Sequence, residues 1–219
     1  QRGQSCLAKR VKVAWLFHQS WNAITVGAYT EKAIISDPNY KGVQPIAPIK
    51  GISPYSTTSM MWSNGLVKPE IMMEGGNAID DNGRLSSAPD DLNLVSTSGS
   101  SIHDFGTMYA TSAATALAAR LAAEIKNQNP TLSPLSIRAL MVHSAEWTEE
   151  MIRQNSDTSG KLNIHSLLHT CGYGVPVPHK AIASEDYYAT FIAEETMTPL
   201  VEGNEGKYKL NSMHFFELP

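Results

Sequence analysis

The strongest indication of the fold is the stretch Ala110-Thr111-Ser112-Ala113-Ala114-Thr115-Ala116-Leu117-Ala118-Ala119-Arg120-Leu121-Ala122-Ala123. Its seven alanines between positions 113 and 123 predict a thin, stable helix that packs closely against a sheet. The first-turn N–H groups of a helix have no intrahelical partner and carry partial positive charge, so they can hold an oxyanion. Ser112 is therefore a candidate nucleophile, supported by the backbone N–H groups of Thr111 and Ser112. The alternative is that Ser112 only caps the helix.

The composition excludes several classes of function. The chain has 219 residues, a net charge of -4 and 42% hydrophobic residues, which fits one globular domain or slightly more. It has no basic field or polybasic tail, and its apolar runs are much shorter than the roughly 20 residues of a membrane helix. We therefore expect neither nucleic acid nor membrane as a partner. Cys6 and Cys171 form neither a disulfide framework nor a zinc cluster, so we expect no structural metal.

Strands and helices alternate along the chain, which is typical of an α/β fold. Short runs rich in β-branched or apolar residues predict strands over residues 21–29, 70–73 and 92–97. The central helix ends near Pro130, and Ser133 followed by Pro134 predicts a second helix over residues 134–147. Weaker helical character follows at Ile164–Leu168.

Two regions read as loops. Residues 36–54 are punctuated by prolines, and residues 78–91 are acidic and rich in turn formers. Asp80-Asp81-Asn82-Gly83 lacks the ligand register and closing Glu of an EF-hand loop, so a solvated loop is favoured there. We expect no cofactor, and calcium stays an open alternative that the sequence does not show. Beyond Tyr187, residues alternate as in strands, which indicates that an appended β module begins there.

Five segments, in the right order, resemble the subtilisin-like serine proteases, the subtilases. The nucleophile signature of that family is Gly-Thr-Ser-x-Ala before an alanine-rich helix, and here it is matched by Ala110-Thr111-Ser112-Ala113-Ala114. The other matches are Ile24-Thr25-Val26-Gly27-Ala28, Ser53-Pro54-Tyr55-Ser56, Lys68-Pro69-Glu70-Ile71 and Gly172-Tyr173-Gly174. The resemblance is closest to a bacterial subgroup with extra C-terminal β structure, and we take the bacterial cytoplasm as the working expectation for location.

The signature departs from the family pattern at two positions, because alanines stand where the family has glycine and proline, at Ala110 and Ala116. A second register, Gly106-Thr107-Met108-Tyr109-Ala110, keeps the glycine but places Met108 at the nucleophile position. That register describes a catalytically dead protein. We prefer the Ser112 register because it places the small helix residues and the stop at Pro130 where the family has them.

The resemblance implies a Ser-His-Asp triad, of which only the serine is found here. Serine catalysis needs a histidine base and a carboxylate that orients it, and the family carries both in upstream motifs. No histidine in this sequence is followed by glycine, and His18 has no companion at ligand spacing. The oxyanion asparagine of the family is also missing. Asn77 in Gly75-Gly76-Asn77 mimics it, but it follows a different strand, so we favour a structural role.

We therefore predict an α/β fold in which helices flank a three-layer, subtilisin-like parallel sheet. Residues 1–185 would be the C-terminal part of a subtilase catalytic domain, and residues 186–219 the start of an appended β-rich module. The chain begins without Met at Gln1, so we expect a piece of a longer gene product that is inactive alone and cleaves proteins or peptides only with its upstream part. The alternative is a dead subtilase-like binding or scaffold protein. An esterase is disfavoured because the Gly-x-Ser-x-Gly elbow is missing.

Overall fold

The computed structural model describes residues 21–61, 66–81, 84–86, 88–182, 191–203 and 206–216. Its strands are β1 Val26–Thr30, β2 Gln44–Pro45, β3 Gly51–Ile52, β4 Ile71–Glu74, β5 Ile79–Asp81, β6 Arg84–Ser86, β7 Leu94–Thr97, β8 Phe105–Met108, β9 Ala145–Glu146, β10 Val175–Pro176, β11 Leu200–Glu202 and β12 Tyr208–Leu210. The helices are α1 Ala110–Gln128, α2 Pro134–His143, α3 Glu149–Gln154, α4 Ile164–Cys171 and α5 Pro178–Ile182, with short 3-10 turns at Pro38–Tyr40 and Asp90–Leu92. No described helix is both long and apolar enough to cross a membrane.

The central sheet of the described residues has three strands in the order β3-β1-β4. β1 and β4 are parallel, with Val26 opposite Ile71 and Tyr29 opposite Glu74, whereas β3 pairs antiparallel with β1. Because β1 and β4 are parallel, their carboxyl ends meet at one edge of the sheet. The five remaining strand pairings of the described residues are all antiparallel, and they form four small sheets.

One face of this sheet is covered by α1, as its alanine content predicted. Ala114 and Ala118 of α1 are buried against Val26, Ala28 and Ile71 of the strands. Side chains of a single methyl group let the helix approach the sheet closely, which is how protein interiors reach their packing density. Helices α2 and α5 complete this core through three further buried residues, Leu140, Met141 and Ala181.

The opposite face of the sheet carries a second core. Because successive side chains of a strand point to opposite faces, Tyr29 and Met72 lie here beside Ile52 of β3. Met151 of α3, with Leu167 and Cys171 of α4, packs against them. The fold is therefore a mixed α/β arrangement with helices on both faces of a small sheet.

Several predicted boundaries are confirmed, with small shifts. The strand predicted over 70–73 is β4, the strand over 92–97 is β7, and the weak helix after Asn163 extends to Cys171. The second helix begins as predicted, with the side chain of Ser133 accepting a hydrogen bond from Ser136 N and Pro134 in the first turn, but it ends at His143 rather than near residue 147.

Other predictions were wrong. The acidic region 78–91 is not only a loop, because it contains the β5–β6 hairpin. The predicted strand over 21–29 begins only at Val26, and β8 and α3 were not predicted. Of the strand predicted after Tyr187, residues 188–190 lie outside the described residues, whereas residues 191–193 are not in a strand. The β structure described near this end is the β11–β12 hairpin.

Glu70 is the centre of a buried ion cluster at the start of β4. Its Oε1 accepts hydrogen bonds from Lys68 Nζ at 2.5 Å and Arg138 Nη2 at 2.7 Å. Its Oε2 accepts from Thr25 N at 2.6 Å. The two cations also donate to backbone carbonyls, Lys68 to Ala23 and Arg138 to Trp21. The cluster therefore ties the chain before β1 to β4 and to α2.

The closing turn of the domain depends on glycine. Gly172 has a φ of 57°, and a Cβ there would lie 2.2 Å from the carbonyl oxygen of Pro69. No other residue can bring its backbone so close to the strand. Tyr173 N donates to the carbonyl oxygen of Glu70, so this turn is fixed to the ion cluster.

A buried serine–histidine contact ties the segment before β4 to α4. Ser59 Oγ lies 2.8 Å from His169 Nδ1, and the ring of His169 stacks on that of His165 at a centroid distance of 4.3 Å. Burial lowers the pKa of His169, and the nearby His165 lowers it further. Cys171 on the same helix is a buried free thiol whose pKa is raised by burial to about 11. It is therefore inert at neutral pH, and Cys6 lies outside the described residues.

We expect the stability of the protein to fall in mild acid because of His169. A histidine whose folded-state pKa is depressed contributes stability above its unfolded pKa, near 6.5, and that contribution is lost as the pH falls through the folded pKa. The free energy of unfolding should therefore be lower at pH 5 than at pH 7.5. The variant His169→Asn, which keeps a hydrogen-bond acceptor without the titration, should reduce this difference. Exposed His103→Asn is the control, and an equal pH dependence in wild type and His169→Asn would contradict the assignment.

Candidate active site

The candidate nucleophile lies on a strand–turn–helix unit. β8 pairs antiparallel with β7 and ends at Met108, Tyr109 is the N-cap residue, and α1 begins at Ala110. Ser112 is thus the third residue of α1, in its first turn. The alternative that Ser112 is the N-cap is wrong, since Tyr109 holds that position with extended backbone.

Ala110 adopts a backbone conformation that glycine would normally take. Its φ is 69°, in the left-handed region, where a residue with a Cβ is strained by about 1–2 kcal/mol. The subtilase signature has glycine at this position when Ser112 is the nucleophile. The alanine therefore departs from the family in residue type but keeps the backbone geometry that the glycine allows.

A two-glycine turn after β4 supports this strained residue. Ala110 N donates to the carbonyl oxygen of Gly75 at 2.8 Å. A Cβ on Gly75 would lie 2.5 Å from Ala28 Cβ and 3.1 Å from the carbonyl oxygen of Ala110, so only glycine fits between the sheet and α1. The carbonyl of Gly76 accepts a hydrogen bond from the buried Ser53 hydroxyl at 2.7 Å.

The segment Ser53–Ser56 lies against the same turn. The ring of Tyr55 contacts the ring of Tyr109 at a centroid distance of 5.1 Å. Ser56 Oγ accepts a hydrogen bond from Ala28 N at 3.1 Å. Three of the segments that carry the subtilase resemblance therefore meet around the N-terminus of α1. The sequence predicted the segments, but not the contacts of Tyr55 and Gly75.

Ser112 lies at the surface, in the first turn of α1. Its residue is exposed, and its hydroxyl has no hydrogen-bond partner among the described residues. The backbone N–H groups of Thr111 and Ser112 likewise have no acceptor in this part of the chain, as expected for the first turn of a helix. An exposed serine and two backbone N–H groups without an acceptor among the described residues thus occur together in the first turn of α1, and N–H groups of this kind can stabilise developing negative charge.

Asn77, the less favoured oxyanion residue, is completely buried. Its Oδ1 accepts hydrogen bonds from Ala47 N and Ala78 N, and its Nδ2 donates to the carbonyl oxygens of Lys32 and Ala47 at 2.9 and 2.8 Å. The amide is therefore fully engaged in holding neighbouring loops. These contacts agree with a structural role, because the side-chain amide of Asn77 already donates to two carbonyl oxygens and has no N–H left for a substrate.

Met108 and Gly106, which define the second register, lie within β8. Gly106 is opposite Ser96 in the β7–β8 ladder and is not among the residues with positive φ. Met108 is half-buried and precedes the helix by two residues. The left-handed backbone that suits the signature glycine is therefore found at Ala110 and not at Gly106, which favours Ser112.

The described residues contain no partner for the serine. Of the histidines in this part of the chain, only His169 has a hydrogen bond to a serine, and that serine is Ser59. His18 lies outside the described residues. No group of three or more His, Cys, Asp or Glu side chains there could hold a metal ion.

The comparison with known proteins agrees with the segment matches. The model of the subtilase family, peptidase family S8, matches residues 17–174, well over half of the chain. None of the curated proteins matches the chain. The class defined by the fold and the family match is that of the serine peptidases, which hydrolyse peptide bonds. The chain belongs to the subtilase family.

Proposed function

We propose that the chain is the nucleophile-bearing part of a serine endopeptidase. Ser112 Oγ attacks the carbonyl carbon of a peptide bond, and the N–H groups of Thr111 and Ser112 stabilise the oxyanion that forms. The observation that carries this proposal is the left-handed Ala110 directly before Thr111-Ser112, together with the exposed Ser112 in the first turn of α1, whose hydroxyl has no hydrogen-bond partner among the described residues.

The base and the orienting carboxylate are supplied by an upstream part of the same protein. A serine hydroxyl is a weak nucleophile unless a base removes its proton, and none of the described histidines contacts Ser112. Protein or peptide is the substrate, since peptide-bond hydrolysis is the chemistry of the family. We also propose that the protein is bacterial, because its sequence most resembles a bacterial subgroup of the subtilases.

The complete catalytic domain would have a larger parallel sheet covered by helices on both faces. The two cores on opposite faces of the β1–β4 pair support this arrangement. Residues 1–185 form the C-terminal part of that domain, and residues 186–219 begin a β-rich module. The β11–β12 hairpin of the later residues supports this division.

The 219-residue chain alone is expected to show no peptidase activity, because without base and carboxylate only residual catalysis remains. The measurement is turnover of a fluorescently labelled, unfolded protein by the chain and by the full-length protein at equal concentration. The proposal is supported if the full-length protein cleaves the substrate and the 219-residue chain does not. Turnover by the 219-residue chain that disappears in Ser112→Ala would overturn the assignment of base and carboxylate to the upstream part.

A further inference from the structure

The carboxylate of Glu74 folds back on the turn that follows it. Glu74 is the last residue of β4, and its Oε1 accepts a hydrogen bond from Gly76 N at 2.7 Å. Its Oε2 accepts from Glu31 N, just beyond β1, at 2.5 Å. The side chain therefore joins the carboxyl ends of the two parallel strands and fixes a turn whose glycines would otherwise be conformationally free.

This turn is hydrogen-bonded to the backbone two residues before the candidate nucleophile. Gly75 lies between Glu74 and Gly76, the residue whose N–H the carboxylate accepts, and the carbonyl oxygen of Gly75 accepts the N–H of Ala110. Ala110 is strained at a φ of 69° and must be held by its surroundings. The chain of contacts runs from Glu74 to Gly76, Gly75 and Ala110, and Ser112 is two residues further on.

We propose that Glu74 is a positioning residue, which holds the Gly75–Gly76 turn so that Ala110 presents Ser112 and its backbone donors in the reactive geometry. The inference rests on the proposed function of Ser112. Glu74 itself does not touch the substrate in this account. Small displacements of a reacting group are costly in rate, so the effect of Glu74 should appear in kcat more than in KM.

The surroundings of Glu74 are those of a half-buried carboxylate that accepts hydrogen bonds from neighbouring backbone N–H groups. Burial raises the pKa of Glu74, while the N–H groups of Glu31 and Gly76 and the charge of Lys32 lower it in part. Burial and the carboxylates of Glu31 and Glu74 also raise the pKa of Tyr29, whose hydroxyl donates to Glu31 Oε1. Among the described residues, the titratable groups that interact with the Glu74 carboxylate or lie beside it are Tyr29, Glu31 and Lys32.

The test compares Glu74→Gln with the neighbouring control Glu31→Gln. A glutamine has one carbonyl oxygen, so it cannot accept both the Gly76 and Glu31 N–H groups as the carboxylate does. Glu31 is exposed, and within the described part of the chain its carboxylate accepts a hydrogen bond only from the Tyr29 hydroxyl, at 3.3 Å. Two quantities are measured in the full-length protein: amide hydrogen exchange in peptides that span residues 108–114, and the rate of labelling of Ser112 by a fluorophosphonate.

We expect Glu74→Gln to exchange at least 10-fold faster over residues 108–114 and to label at least 10-fold more slowly, with Glu31→Gln unchanged in both. Unchanged exchange in Glu74→Gln would overturn the inference, and so would faster exchange with a wild-type labelling rate. If wild type is not labelled at all but the exchange difference remains, the proposed function of Ser112 fails, while the positioning of the α1 N-terminus by Glu74 is supported.

Discussion

Replacement of Glu70 by alanine is expected to lower the free energy of unfolding by about 3–5 kcal/mol. Lys68 and Glu70 are almost completely buried, with side-chain exposures of 3% and 7%. Removing the carboxylate leaves the Lys68 ammonium buried without its counter-ion and removes the acceptor of Arg138 Nη2 and of Thr25 N. Chemical denaturation at pH 7 measures the effect.

The matched control is Glu124→Ala, which breaks an ion pair of the same type on the surface of α1. Arg120 and Glu124 are 75% and 40% exposed, so this pair is screened by solvent and its loss should cost at most about 0.5 kcal/mol. Equal effects of Glu70→Ala and Glu124→Ala would show that the buried cluster does not hold the fold together.

Replacement of Ser112 by alanine in the full-length protein is expected to lower kcat/KM for a peptide substrate by at least about 10³-fold, because the covalent pathway is lost and only the oxyanion donors remain. Thr115→Ala is the control. It removes an exposed hydroxyl one turn further along α1, which donates a hydrogen bond to the carbonyl oxygen of Thr111. That variant should keep the activity of the wild type.

The variant Met108→Ser separates the two registers. If Ser112 is the nucleophile, a serine at position 108 has no role and should give no new activity. If the protein is a dead scaffold with Met108 in the place of the serine, the wild type should be inactive and Met108→Ser should gain activity. If the wild type is active and Ser112→Ala keeps its full activity, Ser112 is not the nucleophile.

The parts of the fold that follow from local signals could be predicted from the sequence. The alanines of α1 and the Ser133-Pro134 start of α2 determine helices without help from distant residues, and β4 is a short apolar run before a glycine turn. The position of Ser112 in the first turn of a helix followed from the same signals. These features depend on propensity and capping, which act within a few residues.

What the sequence could not predict depends on partners that are distant along the chain. β8 alternates exposed and half-buried residues, and it is a strand because it pairs with β7. Glu70 meets Arg138 across 68 positions. The left-handed Ala110 is fixed by Gly75, and no local rule assigns that conformation to an alanine.

The role of Ser112 as the nucleophile of a serine peptidase can be tested by treating the full-length protein with a fluorophosphonate and analysing the labelled peptides by mass spectrometry. We expect a single stoichiometric adduct on Ser112, absent in Ser112→Ala and unchanged in Thr115→Ala. A wild-type protein that remains unlabelled at Ser112 while an established subtilase is labelled under the same conditions would contradict it.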